Sequence, residues 1–439
     1  MIEGGTLNPP FQMLRPKRHR TTKTDGHARS SKKGSQVRSS KKDSRVRSSK
    51  KDSRVRSSKK DGRASTTKKD GPVNDLLPEL ISEILSRLPI ELILRCRSVC
   101  KTWNSVIQSP LFINLQARKS HNQPSRVILK PIFGGVTATT MHSLFLLDTE
   151  ECKSRRIHDK SWRFSGLQIM SSCNGLLCIT SDSELGPVYI SNPITREFVI
   201  LPSPETGFSL LRHQVGLGFD SSNGKYIVVR AYTDKSKSQV NKFEAIMLGE
   251  NSWRSLTVPD IIAECTINGS VFWNGALHWK IKKKPGRECM LSFDVSSGKF
   301  AVTRFPVSAD VPDDFEMVEL DGHLSLVQVY DTQMKIWRVT GEKIEGLSVC
   351  YEDMYCMNVR WNSSFNCELI RGYIDEGYLL QVNTHRGPGG AWRRYLTQYF
   401  PKMEQFLSLI IPSIPICFKT ISFRPTLISP MQLHFVPHG

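Results

Sequence analysis

The sequence lacks an apolar run long enough to cross a bilayer, a C-x-x-C pair among its 11 cysteines, a His and Cys cluster at metal-ligand spacing, and a complete glycine-rich phosphate loop. Each absence removes a class of function. The most apolar late stretch, Phe406 to Phe418, is about thirteen residues long and is broken by Pro412 and Pro415, whereas a helix must cover roughly 30 Å of hydrocarbon. No membrane partner is expected. Scattered cysteines and an N-terminus without an apolar leader lead to an expectation of reduced thiols in the nucleus and/or cytoplasm. Gly216-x-Gly218 has no third glycine and no helix pattern after it, so it reads as a turn and not a dinucleotide loop. No nucleophile stands with a base, so the chain is expected to be no enzyme and to hold no cofactor or metal.

Acidic residues are scarce at one end. The formal charge is +20 over 439 residues, but residues 1–72 hold 22 Lys and Arg against 6 Asp and Glu, a balance of +16 that leaves +4 for the rest. Within that end Arg-Ser-Ser-Lys-Lys recurs every nine residues, at Arg29, Arg38, Arg47 and Arg56, with a degenerate copy from Ser65. Such repeats have almost nothing to bury, so the entropy of ordering them is not offset and a disordered basic tail is expected. Its readings stay open: nuclear import through Arg15 to Arg20, contact with nucleic acid, phosphorylation at the Ser-Ser pairs, or a solvated arm with no role. The tail has no aromatic residue after Phe11, so bases would find nothing to stack on.

Between residues 77 and 112 the pattern is helical. Leu77-Pro78 opens a first helix, with proline in the first turn where its missing N–H has no partner to lose. Leu80, Ile81, Ile84, Leu85 and Leu88 follow on one stripe, closed by Pro89. A second short helix carries Leu92, Ile93, Cys96 and Val99, and a third carries Trp103, Val106 and Ile107 and stops before Pro110. Cys96 and Cys100 lie one turn apart without further ligands nearby and read as buried thiols. Fewer than forty residues cannot bury this much apolar surface alone, so the segment needs a partner.

The stretch resembles a plant-type F-box in Leu77-Pro78-Glu79, Ile84-Leu85, Arg87-Leu88-Pro89, Arg95-Cys96-Arg97, Val99-Cys100-Lys101, Trp103 and Phe112, with Glu91 and Leu92 departing from the family's usual Lys and Ser. The resemblance implies docking onto a Skp-type adaptor and membership of a cullin-based (SCF) ubiquitin ligase as its substrate receptor. Carried over by position, the adaptor-binding residues are Leu77, Pro78, Ile84, Leu85, Leu88, Pro89, Val99 and Trp103.

Beyond a polar link at 117–126 the chain alternates in short apolar segments separated by Gly, Asn and Asp turns, an all-β pattern. Two phrases recur. Cys173-Asn174-Gly175-Leu176 is echoed at Trp273-Asn274-Gly275-Ala276 and Leu320-Asp321-Gly322-His323, each a hairpin turn before an apolar strand. Asn192-Pro193-Ile194-Thr195-Arg196 is echoed by Asp294-Val295-Ser296-Ser297-Gly298. The spacing suggests a unit of roughly 50 residues, the length of a kelch-like propeller blade, with the blade count left open. These phrases, with Gly216 to Asp220 and Trp253-Arg254, resemble an F-box-associated interaction domain, which implies that an unidentified target protein binds there. Trp273, His278, Trp279 and Trp337 are candidates for that surface, against the competing reading that large aromatics in β repeats fill cores.

The expected organisation is α plus all-β in several domains: a disordered tail (1–72), a three-helix F-box (73–116), a linker (117–126), a β-propeller-like domain (127–385) and an irregular C-terminal extension (386–439). The alternative function is nucleic-acid binding through the basic repeats.

Overall fold

The computed structural model describes residues 76–434, apart from 124, 132–143, 149–152, 158–166, 182–186, 204–213, 235–239, 283–287, 305–314, 321, 330–332, 340–354, 361–364, 375–376, 386–391, 401, 404 and 410–417. The basic repeats, and any reading of their order, lie outside the described residues.

Four helices come first: α1 (Pro78–Ser86), α2 (Ile90–Cys96), α3 (Lys101–Gln108) and α4 (Pro110–His121). The prolines that close one helix also open the next. Pro89 is the extended residue that caps α2, and Pro110 takes the first turn of α4 behind Ser109, whose hydroxyl accepts from the Phe112 N–H at 3.2 Å. Cys100 caps α3 through its sulfur, which accepts from the Trp103 N–H. Cys96 and Cys100 are half-buried rather than buried, and both are free thiols. The first half of the linker expected at 117–126 is helix, because α4 runs on to His121 with Gln116 and Ser120 buried.

Among the described residues, twenty-four strands form six four-stranded antiparallel sheets. The second sheet holds β4 (Leu167–Cys173), β5 (Leu176–Ser181), β6 (Tyr189–Asn192) and β7 (Glu197–Ile200), and the third β8 (Gln214–Asp220), β9 (Lys225–Asp234), β10 (Val240–Met247) and β11 (Arg254–Leu256). The fourth holds β12 (Thr266–Trp273), β13 (Ala276–Lys282), β14 (Glu288–Asp294) and β15 (Phe300–Arg304), and the fifth β16 (Glu316–Leu320), β17 (His323–Val329), β18 (Gln333–Arg338) and β19 (Tyr355–Arg360). The sixth is β20 (Phe365–Ile374), β21 (Gly377–His385), β22 (Trp392–Phe400) and β23 (Gln405–Leu409). The first sheet is assembled from both ends of the domain. In it β24 (Phe418–Phe423) pairs antiparallel with β1 (Arg126–Pro131), which carries β2 (Phe145–Asp148) and β3 (Lys153–Arg156) outward.

The strands β24, β4, β8, β12, β16 and β20 each lie against the next, and β20 returns to β24, so the six sheets close as blades of a propeller. Closure by β24 corrects the expectation of an irregular extension at 386–439. That region contributes β22, β23, β24 and a final short helix, α5 (Pro430–His434). The many prolines of this region concealed it from the sequence, although none falls within Phe418–Phe423 itself. Among the described residues no helix is long and apolar enough to cross a membrane.

The recurring phrases occupy equivalent turns. Asn174-Gly175 and Asn274-Gly275 both have positive φ at the two central positions, the two-residue turn that matches strand twist, and they join the first and second strands of their blades. The second phrase is a wider turn whose first residue, Asn192 or Asp294, accepts with its carbonyl from the N–H four residues on, at 2.8 and 2.9 Å. Its side chain accepts from a backbone N–H inside the turn. The last residue, Arg196 or Gly298, has φ of 64° and 68°. The turn from Asp220 to Gly224 repeats this arrangement in the third blade.

Candidate functional site

The helical segment divides its apolar residues into two sets. Ile81 and Leu85 of α1, Ile90 and Ile93 of α2, Val106 and Ile107 of α3 and Phe112 of α4 are buried. They join one core with propeller residues, among them Ile128, Leu146, Tyr189 and Phe423. The opposite stripe of α1 stays in water: Leu77 is 63% exposed, Leu80 52% and Ile84 47%. Leu92 and Val99, at 41% and 56%, and Leu111 at 85%, add to this outward set. The spacing 77, 80, 84 is one helical face, and 81 with 85 lies on the face turned inward. Isolated exposed leucines are ordinary, but a stripe of them on a short helix that already has a core marks a surface awaiting a partner.

Of the adaptor-binding residues expected from sequence, Leu77, Pro78, Ile84, Pro89 and Val99 are exposed. Leu85 is not: it is fully buried in the shared core, and Leu88 and Trp103 are half-buried and pack inward against that core. Leu85 has no face left to offer, whereas Leu88 and Trp103 each keep part of their surface open. Leu80 and Leu92 are outward too, though the transfer by position did not include them, and Leu80 stands on the apolar stripe read from the sequence.

The four aromatic candidates on the β domain fare differently. Trp279 is fully buried and meets Phe243 edge to face at 5.7 Å, and Trp337 lies in the core shared by the fourth and fifth blades. His278 is also buried, with Nδ1 2.8 Å from the Ser292 hydroxyl and Nε2 3.2 Å from the Trp273 carbonyl. A neutral imidazole satisfies both partners, and burial pushes its pKa down to about 4. Trp273 is half-exposed, but its indole N–H already donates to the Gly322 carbonyl at 2.8 Å. The structure thus places three of the four inside. The middle strands of a blade are covered on both faces by neighbouring blades, so alternation does not bring every second residue to water.

Glu91, which departs from the F-box pattern, is used within the chain. Its carboxylate takes Arg126 of β1 at 2.6 Å and Arg155 of β3 at 3.1 Å. Burial by itself would raise its pKa, but the Arg126 guanidinium, a hydrogen bond to its backbone and Arg155 together hold it below the usual carboxylate range. On the other side of the segment, buried Gln116 of α4 donates to the Pro425 carbonyl and accepts from the Leu427 N–H at 3.1 Å, and Ser120 donates to the same Pro425 carbonyl at 2.8 Å.

Comparison with known proteins agrees with this architecture. Residues 74–115 match the F-box domain model, and residues 135–387 match the model described as the F-box associated beta propeller domain. The propeller seen here runs past both ends of that match, from β1 to β24. The chain is 30% identical to F-box protein At5g49610 of Arabidopsis thaliana over 372 residues, covering 80% of this chain and 96% of that protein. It is 28% identical to F-box protein At5g18160 of the same plant over 321 residues, covering 70% of this chain and 76% of that protein. With helices that match the one model and a closed ring that contains the other, the chain belongs to the plant F-box proteins that carry an F-box-associated β-propeller.

Proposed function

We propose that this protein is the substrate-recognition subunit of an SCF-type ubiquitin ligase, docking onto a Skp-type adaptor through the outward stripe of α1 and its neighbours and binding a target protein through the propeller. The observation that carries the reading is the division of the F-box into a covered face and a bare one. Leu77, Leu80 and Ile84, each already about half covered, would each contribute roughly 1–1.5 kcal/mol on burial of the remainder, before ordering costs. The role is that of an adaptor, not a catalyst: it raises the concentration of a target beside a conjugating enzyme held by the same assembly.

The test is Leu80→Asp together with Ile84→Asp, two exposed positions whose change leaves the shared core alone. Co-purification with a Skp-type adaptor is expected to weaken at least a hundredfold, about 3 kcal/mol, while the melting temperature of the propeller stays within a degree or two. Undiminished adaptor binding by the doubly charged variant would overturn the docking face.

A further inference from the structure

The F-box of this chain does not hang from its propeller by a linker. Helix α4 ends at His121 and β1 begins at Arg126, so only residues 122–125 join them, and the segment is held at two further places. One is Glu91 with Arg126 and Arg155. The other is the chain's last segment. After β24, Arg424 pairs with Glu319 of β16 at 2.9 Å, and the chain then crosses the turns of the second blade. Thr426 donates to the Asn174 carbonyl at 2.8 Å, and the Asn192 amide donates to the Thr426 and Ile428 carbonyls at 2.8 Å each. On its far side this strap meets α4, through Gln116 and Ser120. Asn192, Thr426, Ser120 and Gln116 are at most 7% exposed. A buried polar network whose members are satisfied specifies one geometry, because any shift leaves donors or acceptors unpaired at roughly 1–3 kcal/mol each.

We infer that Glu91, Gln116 and Ser120 are positioning residues: with the strap at 424–428 they clasp the F-box to the propeller, so that a bound target is presented at one fixed distance and angle from the adaptor. The inference deepens the receptor reading above and rests on it for its meaning, but not for its geometry. The strap follows directly on β24, the strand that closes the ring, so the same stretch of chain that completes the propeller also reaches the F-box. None of the three residues belongs to the outward apolar set, so the clasp is separable from docking.

The experiment uses the full chain with a pair of bioorthogonal labels at the exposed Ser105 and Lys299, one on the F-box and one on the fourth blade. The native chain is expected to show a single narrow distance distribution. Glu91→Lys with Gln116→Ala and Ser120→Ala is expected to widen it at least threefold while adaptor affinity changes less than twofold. A wide distribution in the native chain, or a variant as narrow as native, overturns the clasp. Should the triple variant fail to fold, the single change Glu91→Lys, at a pair only partly covered, must still speed amide exchange in α2 at least tenfold, and unchanged exchange overturns it as well. A native chain that is narrow yet fails to bind a Skp-type adaptor would instead sink the receptor reading and leave the clasp standing.

Discussion

Gly175 lies against Thr426 so closely that a methyl group on the glycine would collide with the threonine hydroxyl and come within 2.9 Å of its backbone nitrogen. The contact joins the first turn of the second blade to the strap that leaves β24. Gly175 is doubly constrained, since its φ of 78° also lies in the left-handed region. Gly275 holds the equivalent turn in the fourth blade at a φ of 77° with open space around it. Gly275→Ala should therefore cost only the backbone term, about 1 kcal/mol. Gly175→Ala should cost at least about 2 kcal/mol more, because the Arg424 carbonyl and the Thr426 backbone nitrogen stand in the way as well as the hydrogen-bonded threonine hydroxyl. Urea midpoints of the two variants decide it, and equal losses would show that the strap does not press on the second blade.

Arg196 occupies the left-handed position that Gly298 and Gly224 fill in the other two copies of the same turn. A non-glycine residue there is strained by roughly 1–2 kcal/mol, and the exposed Arg196 side chain has no packing to lose. Arg196→Gly is expected to raise stability by about 0.5–1 kcal/mol, the strain relief less the entropy that glycine loses on folding. Gly298→Ala should lower it by about 1 kcal/mol. Both are read from chemical denaturation, and opposite signs for the pair are the outcome that matters.

The legible part of this fold was its repetition. Asn192 to Arg196 and Asp294 to Gly298 look alike because a side-chain oxygen must take an N–H inside the turn and the last residue must adopt a positive φ, requirements that a few residue types meet. The F-box was legible for a related reason, since capping prolines and an apolar stripe are local devices. Strand β24 was not legible. It pairs with β1 almost three hundred residues away, and no local pattern announces a partner at that distance. Nor could spacing tell Leu85 from Ile84: both are apolar and adjacent, and only the propeller's presence on one side makes the first core and the second surface. Trp279 and Trp337 illustrate the same limit, because burial on both faces of a middle strand is set by neighbouring blades.

Acid should weaken the fourth blade before it weakens the rest. Burial holds His278 at about 4, against about 6.5 for an unfolded histidine. Between those values the unfolded chain binds a proton that the native chain does not, so stability is full above about pH 6.5 and falls as the pH drops toward 4. The loss attributable to this residue approaches roughly 3 kcal/mol at the lower limit. Replacing it by His278→Asn should flatten the dependence of the urea midpoint on pH between 7 and 4.5, whatever the variant costs at neutral pH. An unchanged slope would mean that His278 is protonated in the folded chain.

The third blade holds a different risk. Arg230 and Glu244 face each other across β9 and β10 at 2.7 Å, with side chains only 4% and 7% exposed, and Tyr232 donates its hydroxyl to the same carboxylate at 2.9 Å. The guanidinium lies 4.8 Å from the Tyr232 ring centre and 5.3 Å from that of Trp253, whose indole N–H is tied to the Pro202 carbonyl of the second blade. Burial lowers the Arg230 pKa, and the Glu244 charge works against that shift. Removing one partner strands the other, so Glu244→Gln should cost about 3–5 kcal/mol. Replacing both, as Arg230→Met with Glu244→Leu, removes the charges along with their desolvation penalty and should recover most of that loss. Recovery would show that the pair is kept for the geometry it imposes between the second and third blades. A double variant as unstable as the single one would mean that the ion pair itself supplies net stability.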